Sequence, residues 1–172
     1  MPRYVALLRG VSPMTLKMAD LKRCLEGAGF TEVKTLLSSG DVAFNARKTS
    51  EASLEKKIEA ALTQEMGKYF LTLVRSQEAL NSLLKADALA KFKLKEGEKK
   101  VVTFLKEPPK TQLKLPIERD SGRILAQHGS EVFTVYIPDP TAGAGFMGVL
   151  EKALGKAQTT RTWGTVQKCA AG

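Results

Sequence analysis

Hydrophobic and polar positions along this chain fall into short blocks of two different periods. An apolar run of five residues, Tyr4 to Leu8, is closed by Arg9 and reads as a strand over Arg3 to Leu8. After the loop "RGVSPMT", Met18, Leu21, Leu25 and Ala28 recur at three- and four-residue spacing, which predicts one buried helical face. Thr15 stands where its N-cap belongs, and Gly27 and Gly29 supply the stop. "VKTLLSS" and "DVAFNA", joined at Gly40, predict a hairpin. Ser50 or Ser53 opens a second helix with Leu54, Ile58, Ala61 and Leu62 on one face, ended by Gly67. "YFLTLV" then predicts a fourth strand and "SQEALNSLL" a further helix.

Strand, helix, strand, strand, helix, strand is the order of a split βαβ or ferredoxin-like unit, a sheet with two helices on one face. The order can be traced a second time. "KVVTFL" serves as first strand, the stretch after Pro108 and Pro109 is too short and proline-rich for a full first helix, and "RILAQHG" with "EVFTVYI" makes the hairpin. "FMGVLEKALG", "AQTTR" and "WGTVQKC" follow as helix, strand and trailing helix. Leu36 and Leu125, Gly40 and Gly129, and Phe44 and Phe133 share one offset of 89 residues, and Arg75 before a helix is answered by Arg161 before a helix. The expectation is an α+β protein of two ferredoxin-like halves, the second degenerate, packed as one compact body. Its boundaries are a first subdomain at 1–84, a lysine-rich connector at 85–98 and a second subdomain at 99–172.

Composition narrows the function classes. With 172 residues and 43% hydrophobic content, the chain can bury one good core or two small ones. The short N-terminal apolar run suits neither a signal peptide nor a membrane span, so a cytoplasmic protein without a membrane partner is expected. Cys24 and Cys169 stand far apart, outside any metal-ligand spacing, and read as buried thiols. With His128 the single histidine, a His-rich metal site is out of reach; no metal and no cofactor are expected. The formal net charge is +9, and nine lysines against four acids between Lys85 and Lys114 contribute +5 of it. That stretch is either a polyanion-attracting face or a solvated connector that keeps the protein soluble.

Strands one and two of a split βαβ unit run parallel, so "RGVSPMT" and "SSGD" belong at one end of the sheet. Arg9, Gly10, Ser12, Ser39, Gly40 and Asp41 thereby become neighbours, with Arg9 a cation for phosphate or carboxylate and the two glycines letting backbone N–H groups approach a ligand. An Arg9–Asp41 salt bridge across two ordinary turns is the plainer reading. In "TTRTWGT" Thr162 reads as an N-cap, and Arg161 beside Trp163 could meet an anion at the helix N-terminus; equally, Trp163 could be a core anchor. His128, in the turn "QHGS", reads as an exposed turn residue. The phosphate-loop, dinucleotide and nucleophile-elbow fingerprints do not occur, nor do the aromatic runs with which a ferredoxin-like sheet stacks RNA bases, so no reaction is recognised.

The segments "RYVALLRGV…KMADLKRCLEGAGFTEVKTLLSSGDVAF", "VVTFL" and "TTRTWGTVQK" together resemble the bacterial family called domain of unknown function 1697. The resemblance spans nearly the whole chain and implies two ferredoxin-like subdomains and no established activity. It also implies an asparagine and a glycine pair after Arg-Gly, an asparagine after Ser-Gly, and a Thr-Arg-Asn-Trp-Asn-Thr ending. Here those places read Ser12 with Pro13 in a shortened loop, Asp41, and Thr162 and Gly164, while Arg9, Gly10, Ser39, Gly40, Thr160, Arg161 and Trp163 are retained. Together these readings predict a binding protein for an anionic ligand, with nucleic acid or a small anion as partner. The alternative is an enzyme acting on a small phosphorylated or carboxylated substrate between the halves, with Asp41 as general base. A purely structural or oligomerisation role is a third class.

Overall fold

The computed structural model describes residues 1–37, 40–109, 113–119, 122–138 and 145–172, the side chains of 145–147 excepted. Among them the chain is α+β, with two antiparallel sheets and five helices. It divides into two units, Met1–Leu84 with Gln167–Gly172, and Lys85–Val166. Among the described residues no helix is long and apolar enough to cross a membrane.

In the first unit β1 (Arg3–Leu8), α1 (Met18–Gly27), β2 (Thr31–Leu37), β3 (Asp41–Asn45), α2 (Glu51–Met66), β4 (Thr72–Ser76) and α3 (Gln77–Ala86, its last two residues grouped with the second unit) follow one another, and the sheet order is β2-β3-β1-β4. β1 lies between β3 and β4, antiparallel to both, and every residue from Tyr4 to Leu8 is buried. A strand covered on both faces reads as a continuous apolar run instead of an alternating one. Tyr4, Ala6, Leu8, Val42, Phe44 and Val74 join Leu21 and Leu25 of α1 and Leu54, Ile58 and Leu62 of α2 in one core cluster. Ser50 caps α2 by accepting the Ser53 N–H at 3.1 Å, and Gly67, at φ 68°, closes it in the left-handed conformation.

Two details correct the sequence reading. α1 starts at Met18, behind Lys17, which caps nothing with its side chain. The expected cap, Thr15, spends its hydroxyl inside the preceding loop, where it accepts the Ser12 N–H at 2.8 Å. The last six residues belong with the first unit because the Gly172 carbonyl accepts from Arg3 Nε (2.9 Å) and Gln77 Nε2 (3.2 Å), and the Ala170 carbonyl from Asn81 Nδ2 (3.4 Å).

The outer edge of β4 carries a device that the sequence reading missed. The N–H groups of Thr72, Val74 and Ser76 point away from β1 and donate to carboxylate oxygens of Glu59 (3.0 Å), Glu55 (2.9 Å) and Glu51 (2.9 Å). Glutamates four residues apart share one helix face, and alternate residues share one strand edge, so the two periods meet in a ladder. It satisfies edge donors that would otherwise invite another strand.

The second unit contains β5 (Lys99–Leu105), β6 (Ile117–Arg119), β7 (Gly122–His128), β8 (Glu131–Tyr136), α4 (Gly145–Leu154), β9 (Gln158–Thr162) and α5 (Trp163–Ala170), of which Gln167 onward belongs to the first unit. Its sheet order is β6-β7-β8-β5-β9, and Leu105, Ile124, Val132 and Leu150 form its cluster beside α4. The short strand β6 pairs with β7 where no full first helix was expected. Residues 85–98 are grouped with this unit, and Leu89 among them is buried.

Candidate functional site

The loop after β1 and the turn before β3 meet as the topology requires. The Leu8 N–H donates to the Gly40 carbonyl at 3.1 Å, Asp41 lies opposite Leu7, and Arg9 donates its backbone N–H to Leu71 at 2.9 Å. Arg9, Gly10, Ser12, Gly40 and Asp41 thus share one end of the sheet; Ser39 lies outside the described residues. The loop is closed on itself, because Thr15 Oγ1 donates toward the Gly10 and Ser12 carbonyls (3.2 and 3.1 Å) and lies 3.3 Å from Ser12 Oγ. Gly40, at φ 93°, gives its N–H to Leu37 at 3.2 Å. A Cβ there would sit 2.9 Å from Val11 Cγ2, so the close approach that this glycine permits is to the chain's own loop. Gly10 is also left-handed, at φ 76°, and open to solvent. Asp41 is fully buried.

Arg161 and Trp163 lie in the second unit. Arg161, 9% exposed on β9, donates from Nη1 to Thr159 Oγ1 (2.6 Å) and to the Thr160 carbonyl (3.0 Å). Trp163 opens α5 half-buried, with Lys100 Nζ 4.6 Å from its ring centroid, and Thr162 caps the helix by accepting the Thr165 N–H at 3.3 Å. This tryptophan is a platform for a cation more than a sealed core anchor. His128 is exposed, its ring 5.4 Å from that of Phe133. Both cysteines are buried, and burial, reinforced by Glu65, pushes the Cys24 thiol up, which disfavours the reactive thiolate. Among the described residues no group of three or more His, Cys, Asp or Glu could hold a metal ion.

The lysine-rich segment has a built form. Lys91, Lys93 and Lys95 are exposed while Phe92 and Leu94 between them are half-buried. Turn hydrogen bonds run from Ala90 to Asp87, Phe92 to Leu89 and Glu98 to Lys95, each at 3.1 Å. A forked ion pair fastens the segment to β7: Arg123 Nε donates to Glu98 Oε2 at 3.0 Å and Nη2 to Glu98 Oε1 at 2.6 Å. The same Nη2 reaches the Lys93 carbonyl at 3.2 Å. The Glu98 side chain is 3% exposed and that of Arg123 15%. The Arg123 hydrogen bonds hold the Glu98 carboxyl below its ordinary range, against burial that pushes it up. Nothing in the local sequence marks Glu98 and Arg123 as partners 25 residues apart; only the lysine spacing was readable. Lys110 lies outside the described residues.

Comparison with known proteins agrees with this architecture and adds no chemistry. Residues 1–133 match the family model described as a protein of unknown function, DUF1697. A solved structure of conserved bacterial protein SP0830 from Streptococcus pneumoniae superposes with a TM-score of 0.71 at 19% identity, covering 99% of this chain and 97% of that one. That likeness speaks for the fold alone. No curated protein matches the chain.

Proposed function

The chain belongs to the DUF1697 family of proteins of unknown function, and from its own geometry we propose that it is a binding protein for an anionic polymer, nucleic acid foremost, held on the lysine segment of the second unit. One observation carries this reading. Lys91, Lys93 and Lys95 project from a segment whose backbone is already fixed by the Glu98–Arg123 fork, so little ordering remains to be done on binding. A row of ammonium groups in solvent releases counterions from a polyphosphate chain. The Arg9–Gly40 cluster supports ligand binding less well, since Asp41 is sealed from solvent and Gly40 is packed against Val11.

The finer reading of the fold, two ferredoxin-like units from an internal duplication, is supported by matched hydrogen bonds. Leu8 to Gly40 and Arg9 to Leu71 in the first unit correspond to Leu105 to Ser130 (2.8 Å) and Lys106 to Ala157 (3.2 Å) in the second. Arg75 and Arg161 each stand fourth in a five-residue strand and donate Nη1 to the preceding carbonyl, at 2.9 and 3.0 Å. On this match Gly40 answers Ser130, one residue from Gly129. Phe44, in the cluster with α1 and α2, then answers Thr134 and not Phe133, whose neighbour Val132 faces α4. Lys106 and Glu131 take the places of Arg9 and Asp41, a recurrence that favours a shared structural duty at the strand end.

Fluorescence anisotropy with single- and double-stranded oligonucleotides at two salt concentrations tests the proposal. The parent is expected to bind with steep salt dependence. Replacing Lys91, Lys93 and Lys95 together by alanine should lower the log–log salt slope by about 2–3, at roughly 0.7–0.9 per lost phosphate contact. An absence of binding at low salt, or an unchanged slope in the triple variant, would sink the reading.

A further inference from the structure

The first unit contains a second basic feature, unrelated to the lysine segment. Between the end of β3 and the start of α2 lies a cavity of about 570 Å³, within the range of small-molecule sites. Phe30 and Leu54, both buried, form its apolar floor, and Arg47 and Lys57, both exposed, stand at its rim with Thr49 and Ser53. No acidic side chain lines it among the described residues. Another groove of this unit, between α1 and α2, is lined by Asp20 and Glu65 as well as Arg23, and there Arg23 is paired with Asp20.

The rim is tied down. The Ala46 N–H donates to the Pro2 carbonyl at 3.2 Å, and the Tyr4 hydroxyl lies 3.4 Å from both backbone polar atoms of Thr49. Lys57 Nζ sits 5.0 Å from the centroid of the Phe30 ring, whose other neighbour is Phe44 at 4.7 Å. Ser50 donates its hydroxyl to Ser53 Oγ at 2.8 Å, which leaves the Ser53 proton for a ligand. Ser53 and Leu54, in the first turn of the 16-residue helix α2, both line the cavity, whose position beside that helix start favours an anion.

We propose that this cavity binds a small phosphate monoester carried on a flat apolar body. The guanidinium of Arg47, the ammonium of Lys57 and the hydroxyls of Thr49 and Ser53 offer more donors than a carboxylate's two oxygens use, and they match a phosphate dianion. The floor of Phe30 and Leu54 takes the body. This site is independent of the nucleic-acid reading, which concerns the other unit.

The probe is phenyl phosphate, titrated into isotopically labelled protein and followed by NMR, with inorganic phosphate and phenol as its two halves. Phenyl phosphate should bind about tenfold or more tightly than either half, each 1.4 kcal/mol being a factor of ten. Shifts should centre on residues 30 and 46–57. Arg47→Ala and Lys57→Ala should each weaken it about tenfold, and Phe30→Leu, which keeps an apolar side chain but removes the ring, should weaken phenyl phosphate and leave inorganic phosphate unchanged, with circular dichroism confirming that the variant is folded. Replacing Lys91, Lys93 and Lys95 should change nothing here. Equal affinity for phenyl phosphate and inorganic phosphate, parent-like binding by both charge variants, or shifts centred on the lysine segment would each overturn the assignment.

Discussion

Glu55→Ala is the sharpest perturbation of the ladder along β4. The Glu55 carboxylate accepts the N–H of Val74, itself 0% exposed, at 2.9 Å, and lies 3.8 Å from Arg75 Nη1, both side chains being 7% exposed. Alanine leaves a buried amide unpaired, a cost of about 1–3 kcal/mol. It also takes the carboxylate away from a buried guanidinium, which for a tight pair costs about 3–5 kcal/mol. The two losses share one carboxylate and do not add. The long ion-pair distance, and the Val74 carbonyl that Arg75 keeps at 2.9 Å, place the total near the lower end, about 3 kcal/mol. Glu55→Gln keeps an acceptor and the volume while losing the charge, for about 1–2 kcal/mol. Urea unfolding followed by circular dichroism gives the order, and amide exchange at Val74 gives the local opening. A Glu55→Ala variant within about 1 kcal/mol of the parent, or a Gln variant as unstable as the Ala variant, would refute the reasoning.

Further outcomes follow from the same geometry. Gly40→Ala combines a left-handed φ of 93° with a Cβ 2.9 Å from Val11 and 3.1 Å from Leu8, and should cost about 2–3 kcal/mol by thermal or urea unfolding. Gly10→Ala has the φ but open space, and should cost only about 1–2 kcal/mol. Thr134, buried with its hydroxyl unpaired among the described residues, should tolerate valine with unchanged or raised stability, by up to about 1–2 kcal/mol; a clear loss would mean that the hydroxyl has a partner. The folded Glu98 carboxyl titrates below its unfolded range, so its contribution is present above that range and is lost as pH falls through the lowered folded value. Glu98→Gln should therefore flatten the acid limb of the urea midpoint against pH, and at neutral pH it should speed tryptic cleavage after Lys93 and Lys95.

Most of the first unit was legible because its elements announce themselves locally. Leu21 and Leu25, and Leu54, Ile58 and Leu62, repeat at helical spacing and do pack on the sheet. Gly40 and Gly67 stand where left-handed backbone occurs. Thr15 was misread because cap and loop hydroxyls look alike in sequence; the loop it closes, Gly10 to Thr15, decides which it is. Glu51, Glu55 and Glu59 carry no signal in the sequence, since charged residues at i, i+4 and i+8 ordinarily face solvent, and only the adjacent strand edge makes them hydrogen-bond acceptors. The candidate loops met as expected, because the parallel relation of β1 and β2 follows from element order alone.

The sequence by itself determined most of the helices and strands, though not β6, the order that brings the loop after β1 to the turn at Gly40, and where positive charge accumulates. Each depends on periodicity, turn chemistry or composition, which act over a few residues. The tertiary structure alone decided that Asp41 is sealed, that Glu98 and Arg123 fasten the lysine segment, and that Arg47 and Lys57 flank an apolar floor. Those outcomes join residues 10 to 27 positions apart or turn on burial, and a side chain's desolvation and partners are set by whatever the folded chain brings beside it.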